Sequence, residues 1–245
     1  MLLRLPKKPG LFITATDTNV GKTLVAGAIA RILTNQHLNV ATFKPIATGC
    51  RHTREGLVNS DAEFLAWCSN SKFPLSVINP ITYAIPAAPA LCERLEHKKI
   101  DFEIIKTSYQ YICDNSDLVI VEGIGGIKVP LSENIELRDI AASFNLPTVI
   151  VARPNLGTLN HTLLTIESCR NANINIAGVI ITPFSEPKAD FAYENAAKII
   201  EEFGNVEILA VLPYDESTDT ENCIVGSVII NELEKQNWQR IAGLK

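Results

Sequence analysis

The sequence predicts an α/β protein in which helices flank both faces of a mostly parallel β-sheet. Short runs rich in valine, isoleucine and leucine alternate along the chain with stretches of helical periodicity, as is typical of parallel strands joined by helical crossovers. The strand runs are almost continuously apolar, which is expected when both faces of a sheet are buried. We expect one domain over residues 1–245, with 1–10 as an N-terminal extension and 224–245 as a C-terminal helix or tail.

Six strands and six helices follow from these patterns. The predicted strands are Leu11–Thr14, Val40–Lys44, Leu118–Glu122, Thr148–Val151, Ala177–Ile181 and Ile208–Leu212. The predicted helices are Gly21–Thr34, Asp61–Cys68, Phe102–Cys113, Leu137–Phe144, Thr158–Asn171 and Ala189–Phe203. Ser60-Asp61-Ala62-Glu63 has the form of a capping box for the second helix, and Asp101 suits the N-cap of the third. A weaker pattern over Ile224–Ile241 predicts one final helix.

Composition excludes several classes of function. The net charge is −5 and there is no long basic run, which argues against general affinity for nucleic acid or anionic membranes. The six cysteines form no C-x-x-C pair, so reduced thiols are expected rather than a zinc site or a disulfide framework. No apolar run approaches the roughly 20 residues of a membrane span, and no signal sequence is recognisable. We expect a soluble, cytoplasmic protein.

The first predicted strand runs into a polar loop that ends in Gly21-Lys22-Thr23 at the start of a helix. Backbone N–H groups of such a loop bind phosphate, a lysine reaches the outer phosphates, and the hydroxyl coordinates Mg²⁺. The strict motif G-x-x-x-x-G-K-[ST] requires glycine where this chain has Thr16. The loop therefore either is a variant phosphate-binding loop, which would make this a P-loop NTPase fold, or resembles one by accident.

Charged residues and glycines also follow other predicted strands. The segments are 44–49, 122–126 and 153–157, and ligands bind at the carboxyl ends of strands in open parallel sheets. Four such ends, counting the loop before Lys22, predict one site. Glu122 suits a second Mg²⁺ ligand, the alternative being an exposed strand-end carboxylate.

For each of three further residues, the sequence pattern leaves two interpretations open. Asp61 is either a Mg²⁺ ligand or a first-turn charge that complements its helix dipole. Lys44 is either a second cation beside a triphosphate or a solvated surface residue. Arg153 pairs either with a phosphate or carboxylate ligand or within a structural salt bridge. For His161, capping or core packing is favoured over catalysis.

Several blocks, taken in order, resemble dethiobiotin synthetase of biotin biosynthesis. They are Thr16-Asp17-Thr18-Asn19-Val20-Gly21-Lys22-Thr23, Lys44-Pro45-Ile46-Ala47-Thr48-Gly49, Asn59-Ser60-Asp61-Ala62, Val121-Glu122-Gly123-Ile124-Gly125-Gly126, Leu156-Gly157-Thr158-Leu159-Asn160-His161 and Leu212-Pro213. The blocks span residues 11–215 or so, and the phosphate loop of that family is one residue longer than the strict motif.

The resemblance implies an ATP-dependent ligase. The family forms the ureido ring of dethiobiotin from 7,8-diaminononanoate, CO₂ or bicarbonate, and ATP. One amine captures CO₂ as a carbamate, the carbamate attacks the γ-phosphate, and the second amine closes the ring on the mixed anhydride. Family members are homodimers with the active site at the subunit interface.

The resemblance also assigns roles to residues of this chain. Lys22, Lys44 and Thr18 would be catalytic, and Thr23, Asp61 and Glu122 would bind Mg²⁺. The ATP-binding residues would be Asn19, Val20, Gly21, Lys22, Thr23, Thr182 and Pro213. The substrate-binding residues would be Thr18, Thr48, Gly125, Gly157, Thr158, Asn160 and Tyr193, of which Gly157–Asn160 would receive the substrate carboxylate from the partner subunit.

The chain departs from the family pattern at three positions. Ala15 replaces the first glycine of the loop, Asn19 stands where an acidic residue is frequent, and Thr182 replaces an adenine-side asparagine. These departures bear on phosphate binding and on strictness for ATP, and they leave a non-catalytic paralogue open.

Two other functional classes are weighed against the ligase. A regulatory ATPase of the partitioning or septum-positioning type, acting by nucleotide-dependent dimerisation, would carry an additional lysine near the loop start. Residues 15–20 contain none. A cobyrinate-type amidoligase would need a glutaminase domain, for which 245 residues leave no room.

Overall fold

The computed structural model describes residues 2–54, 56–182 and 191–244, except for the side chains of residues 191–194. Its strands are Gly10–Ala15 (β1), Val40–Phe43 (β2), Ile46–Ala47 (β3), Arg51–Thr53 (β4), Gly56–Val58 (β5), Ile81–Thr82 (β6), Leu118–Gly126 (β7), Pro130–Ser132 (β8), Ile135–Glu136 (β9), Thr148–Ala152 (β10), Ile176–Ile181 (β11) and Ile208–Val211 (β12). Its helices are Lys22–Asn35 (α1), Ser60–Cys68 (α2), Leu75–Ile78 (α3), Pro89–Leu95 (α4), Phe102–Asp114 (α5), Leu137–Phe144 (α6), Thr158–Asn171 (α7), Phe191–Gly204 (α8), Ser227–Leu233 (α9) and Trp238–Ile241 (α10).

The central sheet has six strands in the order β12-β11-β10-β1-β7-β2. Every neighbouring pair in it is parallel, so the predicted α/β fold class is confirmed. β1 lies between β10 and β7, and the loop that follows it leaves the middle of the carboxyl edge. That position is where an open parallel sheet binds its ligands.

Both faces of the sheet are buried, which explains the continuously apolar strands. Leu11 and Ile13 of β1 pack on one face with α1, α2, α9 and α10. Phe12, between them, points to the other face and packs with residues of α5, α6 and α7. Side chains alternate across a strand, so each strand contributes to both cores.

The strand β7 is longer than the sequence pattern predicts. It continues past Glu122 through the glycines, and Gly126 pairs with Ala15 across a register shift. A Cβ atom at Gly126 would lie 3.3 Å from the Ala15 carbonyl oxygen, so glycine permits this close pairing. Glu122 therefore lies inside the strand rather than at its end, which places it beneath the phosphate loop.

The structure confirms one predicted helix cap and contradicts another. The Asp101 side chain accepts hydrogen bonds from the backbone N–H groups of Glu103 and Ile104, as predicted. The predicted capping box at Ser60–Glu63 is wrong, because Asn59 caps α2 and accepts from Ala62 N. The Glu63 side chain instead forms an ion pair with Arg51.

The C-terminal segment forms two short helices rather than the single predicted one. α9 ends at Leu233, and Asn237 caps α10 by accepting a hydrogen bond from Arg240 N. The break lets Trp238 pack into the core at 2% exposure while its indole N–H donates to the Leu233 carbonyl. Burial of this indole, with its donor satisfied, outweighs helix continuity.

The remaining short elements escape pattern analysis. The pairs β3–β6, β4–β5 and β8–β9 each involve strands of two or three residues, which are too short to show a period. Within the described ranges, no helix is long and apolar enough to cross a membrane.

The close packing of α1 on α2 predicts an overpacking effect at Gly27. An added Cβ would collide with the Phe64 ring and lie 2.8 Å from Cys68 Sγ. We expect Gly27→Ala to lower the free energy of unfolding by about 1–3 kcal/mol, although alanine favours helix by about 1 kcal/mol. Urea denaturation measures the change, and Glu167→Ala on the exposed face of α7 is the control. A stabilised Gly27→Ala variant would contradict this packing.

Candidate active site

A cleft of about 410 Å³ lies at the carboxyl edge of the sheet. The residues proposed from the sequence that line it are Thr18, Asn19, Gly21, Lys22, Thr23, Lys44, Thr48, Asp61, Gly125, Thr182 and Pro213. They come from six separate segments of the chain. Three of the four predicted strand ends converge there, whereas none of the residues 153–157 lines the cleft.

The loop between β1 and α1 has the backbone shape of an anion-binding turn. Asn19 and Gly21 adopt left-handed conformations, with φ of 55° and 88°, while Val20 between them is buried. Gly21 is the N-cap of α1, and no described side chain caps that end by a hydrogen bond. Gly21, Lys22 and Thr23 line the cleft, so the first N–H groups of the helix have no side-chain acceptor at a place where a phosphate could accept from them.

Ala15 and Thr16 fit this loop without backbone strain. Ala15 lies in β1, where it pairs with Val151 and Gly126, and Thr16 donates its N–H to the Val151 carbonyl at 3.0 Å. Neither has a positive φ, so neither position requires glycine.

The charges of the cleft are organised around Glu122, which has no exposed surface. Its Oε1 accepts hydrogen bonds from Lys22 Nζ at 2.7 Å, Thr23 Oγ1 at 2.8 Å and Lys44 Nζ at 3.0 Å. A carboxylate this deeply buried requires several charged or polar donors to offset its lost hydration.

Asp61 extends the cluster through Lys44. The Lys44 ammonium lies 2.8 Å from Asp61 Oδ2. Burial lowers the pKa of Lys44, but the charges of Asp61 and Glu122 outweigh burial and raise the net pKa above its ordinary value. Burial raises the pKa of Asp61, yet the charges of Lys44 and Lys22 and the hydrogen bonds from Lys44 and Thr23 lower it to about 2. Both side chains are therefore charged at neutral pH.

Three oxygen-bearing side chains of the cluster fit a magnesium ion. Thr23 offers a hydroxyl, and Asp61 and Glu122 offer carboxylates, which are the hard ligands that Mg²⁺ prefers. Glu122 Oε2 is buried and has no hydrogen-bond partner among the described residues. An orphaned carboxylate oxygen beside a phosphate loop suits coordination of a cation.

Thr18, Thr48 and Gly125 also line the cleft. Gly125 has φ of 62°, and a Cβ there would lie 2.9 Å from Val129 Cγ2. Glycine is needed at this position both for the left-handed backbone and for the close approach to Val129.

The structure does not bring Gly157, Thr158 and Asn160 to the cleft of their own chain. Gly157 is the N-cap of the 14-residue helix α7, and Gly157 and Asn160 are exposed. The Thr158 side chain is buried, with its hydroxyl 3.4 Å from that of Thr162. Tyr193 lies outside the residues whose side chains the structure describes.

Two residues with open interpretations are placed away from the cleft. Arg153 forms an ion pair with Asp17 at 2.8 Å, which selects the salt-bridge alternative. His161 is exposed, and no described side chain caps the start of α7 by a hydrogen bond, so the expected capping or core role is wrong.

Several cleft-lining residues were missed by the sequence analysis. Asn59, Tyr214, Asp215, Thr218, Thr220 and Ile229 also line the cleft. Most follow β12, and the rule that ligands bind beyond strand ends would have included that loop. Ile229 comes from α9, and only the fold brings this helix to the cleft.

Comparisons with known proteins assign the family. A family model described as an AAA domain matches residues 9–222. The ATP-dependent dethiobiotin synthetase BioD of Thermodesulfovibrio yellowstonii is 38% identical, over 84% of this chain and 89% of its own length. The chain belongs to the dethiobiotin synthetase family. Two further synthetases agree. That of Methanocaldococcus jannaschii is 36% identical over 82% of this chain and 92% of its own length. That of Bacillus cereus strain G9842 is 35% identical over 96% of this chain and 98% of its own length.

Solved structures outside the dethiobiotin synthetases share the fold. The MinC:MinD cell division complex of Aquifex aeolicus matches with a TM-score of 0.55 and 15% identity, over 87% of this chain and 84% of that chain. A ParA family ATPase from Chlorobium tepidum matches with a TM-score of 0.51 and 18% identity, over 86% of this chain and 85% of that chain. At these identities the likeness concerns the fold alone.

The extended backbone at residue 15 predicts that glycine is not needed there. We expect Ala15→Gly to leave the ATP affinity unchanged and to lower the free energy of unfolding by about 0.5–1 kcal/mol. Gly21→Ala is the matched comparison, because its positive φ and the Thr182 hydroxyl, 2.8 Å from an added Cβ, oppose a side chain. Calorimetry with Mg-ATP should show weaker binding only for Gly21→Ala. Tighter binding by Ala15→Gly would show that Ala15 distorts the loop.

The buried charge cluster predicts a large stability cost at Lys44. Lys44→Met leaves Glu122 buried with one cation fewer, and we expect a loss of about 3–5 kcal/mol in the free energy of unfolding. The double variant Lys44→Met/Glu122→Gln should recover part of this loss, since the buried charge is also removed. Lys128→Met, which breaks the exposed pair with Glu136, should cost less than about 1 kcal/mol. Equal losses for Lys44→Met and Lys128→Met in urea denaturation would contradict the cluster.

Proposed function

We propose that this chain closes the ureido ring of dethiobiotin from 7,8-diaminononanoate and CO₂, converting ATP to ADP and phosphate. One observation carries the proposal: in a member of this family, the phosphate loop, Lys22, Lys44 and Asp61 line one cleft, and the buried Glu122 contacts both lysines. The reaction must bring two anions, a carbamate and a triphosphate, into contact. A cleft with two fixed ammonium groups suits that requirement.

The phosphate loop would hold the triphosphate. Asn19, Gly21, Lys22 and Thr23 line the cleft at the start of α1, so their backbone N–H groups would bind the phosphates, and the helix dipole favours an anion there. Thr182 packs against Gly21 and lines the cleft together with Pro213. These two residues would lie towards the base of the nucleotide.

A magnesium ion would be held by Thr23, Asp61 and Glu122. When bound, Mg²⁺ neutralises phosphate charge and orients the outer phosphates for in-line attack. Lys22 and Lys44 both contact Glu122 Oε1, so the carboxylate sets the positions of the two ammonium groups relative to each other.

The first chemical steps would join the substrates to one another. An amine of diaminononanoate attacks CO₂ and loses a proton to give a carbamate, whose oxygen then attacks the γ-phosphorus and expels ADP. Thr18 and Thr48, which line the cleft, would hold the amine and the carbamate. Lys44, at 2% exposure, provides a buried positive charge beside the cleft, and exclusion of water by the bound substrates would protect the carbamate from loss of CO₂.

Ring closure would follow on the mixed anhydride. The second amine attacks the carbonyl carbon, the carbon–oxygen bond to phosphate breaks, and phosphate leaves with its electron pair. Every new bond joins atoms of the substrates, so no side-chain nucleophile is required. The described residues that line the cleft include neither cysteine nor histidine.

The substrate carboxylate would bind a second copy of the chain. The N-terminus of α7 begins at Gly157 without a side-chain cap among the described residues, and such an end binds carboxylates. It is exposed, and the neighbouring Leu156 is 89% exposed, as expected for a surface covered in a homodimer.

All six cysteines are free thiols, which favours a reducing cytoplasmic location.

Product formation tests the proposed reaction. Purified protein with Mg-ATP, bicarbonate and 7,8-diaminononanoate should form dethiobiotin and ADP, measured by mass spectrometry and a coupled ADP assay. Lys22→Ala should lower the rate by about 10²- to 10³-fold, because it removes a cation from the developing charge. Lys106→Ala, on the exposed surface of α5, should retain full activity.

Two outcomes would refute the assignment. If the folded chain binds ATP but forms no dethiobiotin, the ligase assignment is refuted and a regulatory ATPase that acts by nucleotide-dependent dimerisation is favoured. Full activity of Lys22→Ala would refute the site while leaving the reaction in place.

A further inference from the structure

The phosphate loop is tied to a neighbouring loop by a charged contact outside the cleft. Arg153 Nη2 donates a hydrogen bond to Asp17 Oδ2 at 2.8 Å. Asp17 Oδ1 accepts from the backbone N–H of Thr18 at 2.8 Å, so both carboxylate oxygens are engaged. Asp17 lines a separate groove beside the cleft and is not among the described residues that line the cleft itself.

This contact constrains a loop whose tip is exposed. Thr18 and Asn19 are exposed, and Asn19 has a left-handed backbone, which asparagine adopts more readily than most residues other than glycine. Thr16 is already fixed to β10 through the Val151 carbonyl. The Asp17 contact holds the next residue of the loop to the segment that follows the same strand.

Arg153 is placed well for this contact. It directly follows β10, and the next residue is the buried Pro154. A following proline restricts the backbone of Arg153 to extended conformations, which limits where the guanidinium can reach. The same segment leads to Gly157 and the start of α7.

The pair also controls the charge beside the phosphates. Asp17 is adjacent to the residues that would bind a strongly negative triphosphate, and its carboxylate opposes that ligand unless it is neutralised. Arg153 provides the neutralising charge. Both side chains are partly exposed, at 34% for Arg153 and 46% for Asp17, so the pair contributes little to folding stability.

From these contacts we infer that Arg153 is a positioning residue for nucleotide binding, which fixes the phosphate loop through Asp17 and cancels its charge. The inference rests on the proposed function only in requiring that the cleft binds ATP. The inference predicts different effects for substitutions at Arg153 and at Asp17. Loss of Arg153 removes the tie and leaves an unpaired carboxylate beside the phosphates, whereas Asp17→Asn removes the carboxylate and retains an acceptor for Thr18 N–H.

Calorimetry with Mg-ATP alone tests the inference on the full chain. Arg153→Leu should weaken ATP binding by about tenfold, the size of one hydrogen bond to a charged group. Asp17→Asn should weaken it less, and the double variant should bind like Asp17→Asn. Arg153→Lys should recover part of the affinity. High salt, about 1 M, should reduce the defect of Arg153→Leu, because it screens the unpaired carboxylate.

Lys106→Leu is the matched control, since it removes a cation from an exposed ion pair on α5. Its ATP affinity should equal that of the original chain, and its melting temperature should match that of Arg153→Leu. The inference is overturned if Arg153→Leu binds ATP like this control, if the losses of the two single variants multiply in the double variant, or if the loss is unaffected by salt. A chain that binds ATP normally but forms no dethiobiotin would refute the proposed reaction and leave this inference standing.

Discussion

The buried carboxylate of Glu122 is the contact on which the cleft depends. It joins β7 to the start of α1 through Lys22 and Thr23, and to the end of β2 through Lys44. An uncompensated carboxylate at this depth would be strongly unfavourable, so the three donors must be held in place. The same requirement fixes the two ammonium groups close together, which is the arrangement that the proposed reaction needs.

The sheet order explains how these residues meet. β1 and β7 are neighbours although more than 100 residues separate them in the chain, and β2 pairs with the outer side of β7. A parallel sheet aligns all carboxyl ends at one edge, so the loops after β1, β2 and β7 converge there. Helix α2 then places Asp61 against Lys44, which completes a cluster of two cations and two carboxylates.

Two kinds of ion pair support the site in different ways. The pairs of Glu122 and Lys44 are buried, and they connect the folding of the core to the geometry of the cleft. The pair of Asp17 and Arg153 is partly exposed, and it acts on the shape and charge of the phosphate loop alone. Substitutions in the first group are expected to change stability, and those in the second to change nucleotide binding.

The sequence predicted the fold class, the bounds of the six central-sheet strands and of six of the described helices to within a few residues, and the resemblance to the family. It did so because buried parallel strands are continuously apolar and because the phosphate loop and strand-end motifs are local. Tertiary structure alone decided the pairing of Arg153 with Asp17 and the break before Trp238, since each depends on residues from another element or on core packing. It also decided that residue 15 does not need glycine, because strand pairing, which no local motif records, sets the backbone of Ala15.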